Sequence, residues 1–282
     1  MLSRADAAAL LEDEPNDNTG VARVPWEDFY AWLCDNWQAG DHVSLIAPTG
    51  AGKTHVIRYG LLPCWQRYPV LILQFKPKDS ALRGLGREIK HFPNRLDRLP
   101  YETRGLNSPK WKTDPEWFRL RLPGYRFSTR AEPPSYRQAR RLAGEAVDRS
   151  YWQGEWVLVI DEVRAISEAR QPSLGLEPVL ENAWQRGRSQ PLTIVAATQQ
   201  PANAPRSFFD QPWMIGIMKM LDAGRFERLA EIGGNTAAIK ATLPTLRQDE
   251  ILFIHRPSGE LIITEVPPGR PAVVGPATAI TR

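Results

Sequence analysis

Cysteine and histidine are scarce in this 282-residue chain, which contains two cysteines and four histidines. The cysteines form no C-x-x-C pair and the histidines are dispersed, so the sequence excludes a zinc-ligand cluster and a disulfide-rich scaffold. Cys34 and Cys64 each stand beside apolar or aromatic residues. We expect both to be thiols of the protein core in a reducing compartment.

Long hydrophobic runs are also missing. The longest, such as residues 70–73, are far shorter than the roughly 20 apolar residues that a transmembrane helix needs. No apolar segment follows a basic start at the N-terminus. The sequence therefore predicts a soluble, cytoplasmic protein with no direct membrane insertion.

The net charge is only +4, but it is unevenly distributed. Residues 83–141 contain 15 Lys and Arg against 6 Asp and Glu, a local charge of +9 that leaves −5 for the rest of the chain. A solvated arginine-rich surface is the ordinary explanation. Aromatic residues are interleaved here, however, which favours phosphate contacts and base stacking with a nucleic acid. These aromatic residues are Trp111, Trp117, Phe118, Tyr125 and Tyr136.

The most informative motif is Ala-Pro-Thr-Gly-Ala-Gly-Lys-Thr at residues 47–54, which follows the apolar residues 43–46. It is typical of a phosphate-binding loop, whose glycines let backbone N–H groups wrap a polyphosphate. Lys53 would contact the β- and γ-phosphates of ATP, and the Thr54 hydroxyl would bind Mg²⁺. The usual pattern begins with glycine; we expect Ala47 to be tolerated because this position ends the strand. The predicted nucleotide-binding residues are Thr49, Gly50, Ala51, Gly52, Lys53 and Thr54.

A second motif is the apolar strand at residues 156–160, which ends in Asp161 and Glu162. This is the Walker B pattern, in which Asp161 would hold the Mg²⁺ shell and Glu162 would polarise the water that attacks the γ-phosphate. A buried strand followed by two surface acids is the simpler alternative. The phosphate loop upstream argues against that alternative.

A third apolar strand covers residues 192–198 and ends in Thr198-Gln199-Gln200-Pro201. We expect this strand to lie between the two phosphate-binding strands. A Thr or Gln at its end would then sense the γ-phosphate or position the attacking water. A strand followed by a polar turn would explain the pattern equally well if it stood alone.

The length fits one large α/β domain with insertions or two small domains, and we favour one. The predicted boundaries are a mobile arm at residues 1–24, a domain at 25–266 with an arginine-rich insertion at about 80–134, and a Pro/Gly-rich mobile tail at 267–282. Apolar spacing predicts helices at residues 26–37 and 135–151, a buried strand at 69–75, and a hairpin formed by 251–255 and 261–266. The helix after the phosphate loop should be interrupted or end near Pro63.

Together, the three motifs, with Arg186-Gly187-Arg188 before the third, resemble the FtsK/HerA family of DNA-pumping ATPases. That family includes chromosome translocases, conjugative coupling proteins and viral genome-packaging motors. The Ala-Thr-Gln-x-Pro strand end at residues 197–201 is its more discriminating mark. The resemblance covers residues 43–266, where residues 214–219 and 222–225 are similar to the last core strand and helix; the arginine-rich region does not align.

The resemblance implies an α/β, RecA-like P-loop NTPase with a mainly parallel sheet, helices on both faces, a basic insertion and a C-terminal β-hairpin. It implies Mg²⁺-dependent ATP hydrolysis that moves double-stranded DNA through a homo-oligomeric ring, a hexamer. Gln199 would couple the nucleotide state to DNA-facing loops. An arginine would reach the neighbour's γ-phosphate, with Arg188 the first candidate and Arg225 the second.

Two alternatives stay open at this point. One is a nucleotide switch that binds ATP, turns over slowly and grips an acidic protein with its basic stretch. Glu162 argues against it, because switches often lack a carboxylate placed to activate water. The other is a protein-export motor, which would need a separate membrane partner to supply an anchor; a packaging motor would likewise work with a capsid partner.

Overall fold

The computed structural model of the protein describes residues 20–65, 68–74, 87–89, 117–121, 134–167, 173–220 and 235–267. Its centre is one ten-stranded sheet. All neighbouring strands pair in parallel except at Glu250–His255, which is antiparallel to both of its neighbours. The expected mainly parallel sheet is therefore confirmed.

The strands are β1 (Ala22–Arg23), β2 (Val43–Ile46), β3 (Val70–Gln74), β4 (Arg87–Ile89), β5 (Trp117–Arg121), β6 (Val157–Ile160), β7 (Thr193–Thr198), β8 (Met214–Met218), β9 (Glu250–His255) and β10 (Glu260–Glu265). Their order in the sheet is β1-β10-β9-β8-β2-β7-β6-β3-β5-β4. The α-helices are α1 (Trp26–Asn36), α2 (Lys53–His55), α3 (Pro134–Gln153), α4 (Arg164–Ser167), α5 (Glu177–Arg186), α6 (Ser207–Asp210) and α7 (Thr236–Thr242). Helix α2 continues as a π-helix over Val56–Leu61 and a 3₁₀ turn over Leu62–Trp65. That 3₁₀ turn contains Pro63, where the sequence predicted the helix to be interrupted.

The central strands are buried along their whole length. Every residue of β2, β6, β7 and β8 is buried. Continuous apolar strands of this kind need cover on both faces of the sheet. The chain provides it with two separate clusters of buried side chains, one on each face.

One face of the sheet is covered by α3 to α7, and the other by α1 and the helix after the phosphate loop. Helix α3 places Tyr136, Leu142 and Val147 in the first cluster, with exposed arginines on its opposite side. Helix α1 places Phe29 and Leu33 in the second. Helices on both faces, predicted from the sequence, are thus confirmed.

The order of the central strands decides where the motifs meet. Strand β7 lies between β2, which leads into the phosphate loop, and β6, which leads into Asp161. The prediction that the third motif lies between the two phosphate-binding strands is confirmed. Because these strands are parallel, their polar ends share one edge of the sheet.

The N-terminal boundary differs from the expected mobile arm at residues 1–24. Residues 22–23 form β1, which pairs with β10. Val21 is buried, and Arg23 Nε donates to Glu250 Oε1 at 2.9 Å. This two-residue strand adds no apolar periodicity, so the pattern could not reveal it; residues 1–19 lie outside the described part.

The arginine-rich stretch contributes two strands to the sheet. Strand β5 pairs with β3, and β4 pairs with β5 at the sheet's edge. The sequence treated this region as an insertion or loop with unclear secondary structure, so these strands are an addition to the prediction. Most of residues 80–134, and the tail after residue 267, lie outside the described residues.

The two cysteines correct the expectation of separate core thiols, since Cys34 and Cys64 form a disulfide with Cα atoms 5.2 Å apart. Both side chains are half-buried rather than fully buried. The pair forms because α1 packs beside the 3₁₀ turn after the phosphate-loop helix, which brings together positions 30 residues apart in the sequence. Sequence spacing alone gave no sign of this approach.

No helix in the described ranges is long and apolar enough to cross a membrane. The predicted C-terminal hairpin is confirmed: β9 and β10 pair from Glu250–Glu265 to His255–Glu260 in antiparallel register. Strand β9 also pairs with β8, so the hairpin extends the parallel sheet on the side away from β6.

Candidate active site at the carboxyl edge of the sheet

The site is built from three loops that follow β2, β6 and β7. The strands are in register, with Ile46 opposite Thr198 and Ile160 opposite Ala196. The loops therefore leave the sheet side by side. The three motifs identified in the sequence come together at this edge.

The phosphate loop has the backbone that its glycines predicted. Gly50 and Gly52 have φ angles of 80° and 98°, in the left-handed region that favours glycine. Ala47 is buried and is not among the described residues with positive φ, so alanine fits this position. Thr49 and Gly50 form the exposed tip of the loop.

Lys53 is buried beneath the loop, although it carries a charge. Its Nζ donates to the carbonyl oxygens of Ala47 and Pro48, at 3.1 and 3.2 Å. These bonds satisfy a buried ammonium group that would otherwise be costly to desolvate. The backbone of the loop thus holds the Lys53 ammonium group in the loop, where the sequence predicts a contact with phosphate.

Thr54 and Asp161 form the pair expected to bind a metal ion. The Thr54 Oγ1 donates to Asp161 Oδ1 at 3.0 Å, and Asp161 is buried at the end of β6. A hydroxyl and one carboxylate are hard oxygen donors that suit Mg²⁺, which takes its other ligands from water and phosphate. The donor set fits this ion.

Both carboxylate oxygens of Glu162 are bound by the end of β7. Thr198 Oγ1 donates to Oε1 at 3.0 Å, and the Gln199 backbone N–H donates to Oε2 at 3.3 Å. Burial raises the pKa of the Glu162 carboxyl, and the nearby Asp161 adds to this, while these two hydrogen bonds and the Lys53 charge act in the opposite direction. Glu162 is therefore a partly desolvated carboxylate in a fixed orientation, as a general base requires.

Gln199 links the third motif to the phosphate loop. Its Oε1 accepts a hydrogen bond of 2.5 Å from Thr49 Oγ1. The next residue, Gln200, accepts through Oε1 from Arg164 and, at 3.3 Å, from Asn203 Nδ2. Neither Arg164 nor Asn203 was expected at the site from the sequence, because neither belongs to a recognisable motif.

Arg188 lies away from these loops. It precedes β7, whose six residues end at Thr198 and span about 20 Å, so Arg188 lies beyond the far end of that strand. Its Nη2 lies 3.5 Å from Asp41 Oδ1, and its side chain is 62% exposed. Arg188 cannot reach the phosphate loop of its own chain, and Arg225 lies outside the described residues.

No protein-family model and no curated protein matches the chain. Among solved structures, it is similar to the genome-packaging NTPase B204 from Sulfolobus turreted icosahedral virus 2 in complex with sulfate, with 14% identity, a TM-score of 0.55, and coverage of 81% of this chain and 98% of that one. The same NTPase in complex with AMPPCP gives 14% identity, a TM-score of 0.54, and coverage of 82% and 99%.

VirB4 of Thermoanaerobacter pseudethanolicus is also similar, with 12% identity, a TM-score of 0.52, and coverage of 80% of this chain and 89% of that one. At these identities the likeness shows the fold alone. The chain has the α/β fold of P-loop NTPases, as its motifs predicted. Membership of the FtsK/HerA family stays a prediction.

Proposed function

We propose that this protein hydrolyses ATP with Mg²⁺ and uses the energy to move double-stranded DNA through a ring of identical subunits. The observation that best supports ATP hydrolysis is that two adjacent carboxylates have different hydrogen-bond partners. Asp161 bonds to Thr54 of the phosphate loop, whereas Glu162 bonds to the end of β7. A structural pair of surface acids would have no reason to be separated in this way.

Each residue has a distinct task in the proposed reaction. Lys53 would bind the β- and γ-phosphates, and Thr54 and Asp161 would hold Mg²⁺, which neutralises charge on the phosphates. Glu162 would orient the attacking water and take its proton. Gln199, bonded to Thr49 at 2.5 Å, would report the state of the loop to the chain beyond β7.

DNA is proposed as the substrate because of the local positive charge. Helix α3 carries Arg137, Arg140 and Arg141 on its exposed side, and they belong to the stretch with a local charge of +9. The opposite side of α3 packs in the core, so this basic surface is held rigidly. Such a surface binds the DNA backbone through phosphate contacts that depend on salt.

A ring is proposed because the family that the motifs resemble works as a ring in which an arginine reaches the γ-phosphate of the neighbouring subunit, and Arg188 is the first candidate for that arginine. Arg188 lies at the opposite edge of the sheet and is exposed, as a residue that acts on a neighbouring subunit must be. Arg225 is the second candidate for this role. We place the activity in the cytoplasm, with any membrane or capsid component as a separate partner.

The test is the ATPase rate of the purified protein with and without double-stranded DNA, at low and moderate salt. We expect DNA to stimulate the rate, and the stimulation to fade as salt rises. Glu162→Gln should abolish hydrolysis, whereas Glu177→Gln, an exposed glutamate on α5, should not. If the rate of hydrolysis does not change with DNA at any salt concentration, the ATPase activity stands but DNA is not its substrate. That result would favour a protein partner, as in the switch or export alternatives.

The DNA surface can be tested separately with two sets of matched variants. Replacing Arg137, Arg140 and Arg141 by Gln should remove most of the DNA stimulation and leave the basal rate. Removing three exposed charges elsewhere, with Arg186, Arg206 and Lys240 replaced by Gln, provides the control. If both sets of variants lose DNA stimulation equally, the stimulation depends on the net charge of the protein and not on the surface of α3.

The ring can be tested by mixing inactive variants. Lys53→Ala disables the phosphate loop of its own subunit, and Arg188→Ala would disable the site of the neighbour. If Arg188 acts between subunits, a mixture of the two variants should regain part of the ATPase activity, because some interfaces then pair two intact halves. No recovery, with both variants assembled, would reject Arg188 and turn attention to Arg225.

A further inference from the structure

Thr198 lies between the phosphate loop and Glu162 in the candidate site. It is the last residue of β7, is fully buried, and lies between β2 and β6. Its backbone carbonyl accepts the N–H of Ala47, the first residue of the phosphate loop, at 3.2 Å. Its hydroxyl donates to Glu162 Oε1 at 3.0 Å. One residue therefore contacts both the phosphate loop and the proposed catalytic carboxylate.

The direction of the Thr198 hydroxyl is determined by its second partner. The backbone N–H of Gln200 donates to Thr198 Oγ1 at 3.1 Å. A hydroxyl has a single hydrogen, so with its oxygen accepting from Gln200 that hydrogen is directed to Glu162. This arrangement holds Oε1 more firmly than a freely rotating hydroxyl would.

The strand order shows in which direction the Glu162 carboxylate is oriented. From β6, the neighbour on one side is β7, which leads toward the phosphate-loop strand β2, and the neighbour on the other side is β3. Both bonds to Glu162, from the Thr198 hydroxyl and the Gln199 N–H, come from the β7 side. The carboxylate is thus turned toward the phosphate loop rather than toward the outer strands.

We infer that Thr198 is a positioning residue for hydrolysis, whose hydroxyl holds the Glu162 carboxylate toward the phosphate loop so that it can orient the attacking water. This inference rests on the ATPase proposed above. It adds a role for Thr198 that is distinct from that of Gln199, whose side chain bonds to Thr49. Since Gln199 still binds Oε2 through its backbone, loss of the hydroxyl should weaken the hold on Glu162 without releasing it.

The test compares Thr198→Val with Thr198→Ser in the basal ATPase assay without DNA. Valine keeps the β-branched shape and the backbone bond to Ala47, but replaces the hydroxyl by a methyl group, which removes both the bond to Glu162 and the acceptor of the Gln200 N–H. We expect kcat to fall by about tenfold or more, with the Kd of a fluorescent ATP analogue within about twofold of that of the wild type. Serine keeps the hydroxyl and should restore most of kcat.

The matched control is Thr193→Val at the other end of the same strand. Thr193 is also buried, and its hydroxyl accepts a hydrogen bond of 3.0 Å from the Gly40 N–H. This variant should lose stability but keep its kcat, when all variants are assayed at a temperature where each is folded. A merely structural role for Thr198 would make the two valine variants alike.

The outcomes separate this inference from the proposed function. A wild type that hydrolyses ATP, with Thr198→Val retaining its kcat, overturns the inference alone. A fall in kcat that serine does not rescue, or a parallel loss of ATP binding, also overturns it. A wild type that hydrolyses no ATP overturns the proposed function and this inference together.

Discussion

Buried polar side chains at the two edges of the parallel sheet have different partners. At the carboxyl edge, two pairs of side chains bond to each other, Thr54 to Asp161 and Thr198 to Glu162. At the amino edge, the polar side chain of His42 bonds only to the backbone in the described contacts: Nε2 donates to the Trp184 carbonyl at 3.0 Å, and Nδ1 accepts the Ile194 N–H at 3.0 Å.

Packing differs between the edges in the same sense. Gly50, in the phosphate loop, has open space where a Cβ would lie. Gly187, beside His42, would place a Cβ only 2.6 Å from the His42 ring. The tip of the phosphate loop is thus open at Gly50, whereas the amino edge is packed closely around His42. We expect changes at the first to alter activity and changes at the second to alter stability.

The largest effect should come from Glu162→Gln at the carboxyl edge. We expect ATP hydrolysis to fall by at least about 100-fold, because glutamine cannot take a proton from water. The free energy of unfolding should change by less than about 1 kcal/mol, since the glutamine carbonyl oxygen can still accept the Gln199 N–H while its NH₂ group donates to the Thr198 hydroxyl oxygen. Chemical denaturation beside the ATPase assay checks both; a large loss of stability would break the distinction between the edges.

At the amino edge, His42→Leu should have the opposite effect. Leucine leaves the Trp184 carbonyl and the Ile194 N–H without their buried partner, which should destabilise the fold by about 2–4 kcal/mol. The kcat of the folded fraction should not change. Measurement of the unfolding midpoint and of kcat at low temperature tests this, and reduced kcat with normal stability would contradict it.

A smaller, graded effect is expected from pH. Burial lowers the pKa of His42 to about 4 from its ordinary value near 6.5. In the unfolded chain His42 therefore binds a proton below about pH 6.5, whereas in the folded chain it binds one only near pH 4. The free energy of unfolding thus falls as pH is lowered through this window. The contribution of His42 is about 3 kcal/mol over the window.

Denaturation curves of the wild type and His42→Leu between pH 7 and 4 isolate this contribution. The leucine variant has no group at position 42 to titrate, so its stability should fall less steeply with decreasing pH. Parallel curves for the two proteins would show that His42 is not responsible.

The smallest effect on stability should come from Arg188→Ala, also at the amino edge. Its ion pair with Asp41 is long, at 3.5 Å, and its side chain is 62% exposed, so the loss should be less than about 1 kcal/mol. The variant should nevertheless lose ATPase activity, because the proposed target of Arg188 is the site of a neighbouring subunit, which makes Arg188 the exception at this edge. A variant with normal activity would confine function to the carboxyl edge.

The fold could be predicted largely because its central strands are continuous apolar runs that end in motifs. Residues 156–160 and 192–198 were expected as strands, and the structure has them as β6 and β7. Strands β1, β4 and β5 were missed, because two of them are only two or three residues long and β5 alternates within an arginine-rich stretch. Such strands are determined by pairing with distant segments, which local pattern does not contain.

The sequence predicted which types of residue form the candidate site, but not which of them contact each other. The motif at residues 198–200 offered a Thr and two Gln, and the sequence could not tell which would face Glu162. The register of β7 against β2 and β6 decides this, because it places the Thr198 hydroxyl beside the carboxylate. The disulfide was missed for a similar reason, since it depends on the packing of α1 against a turn 30 residues away.

The Cys34–Cys64 disulfide closes a covalent loop that contains the whole phosphate loop, residues 47–54. When the chain is pulled along its backbone, tension entering at Cys34 passes through the sulfur atoms and leaves at Cys64. The 29 residues between them bear none of it, although this segment could otherwise extend to about 100 Å. In a protein proposed to work against a mechanical load, the nucleotide-binding segment would thus be shielded from stretching until the disulfide is reduced.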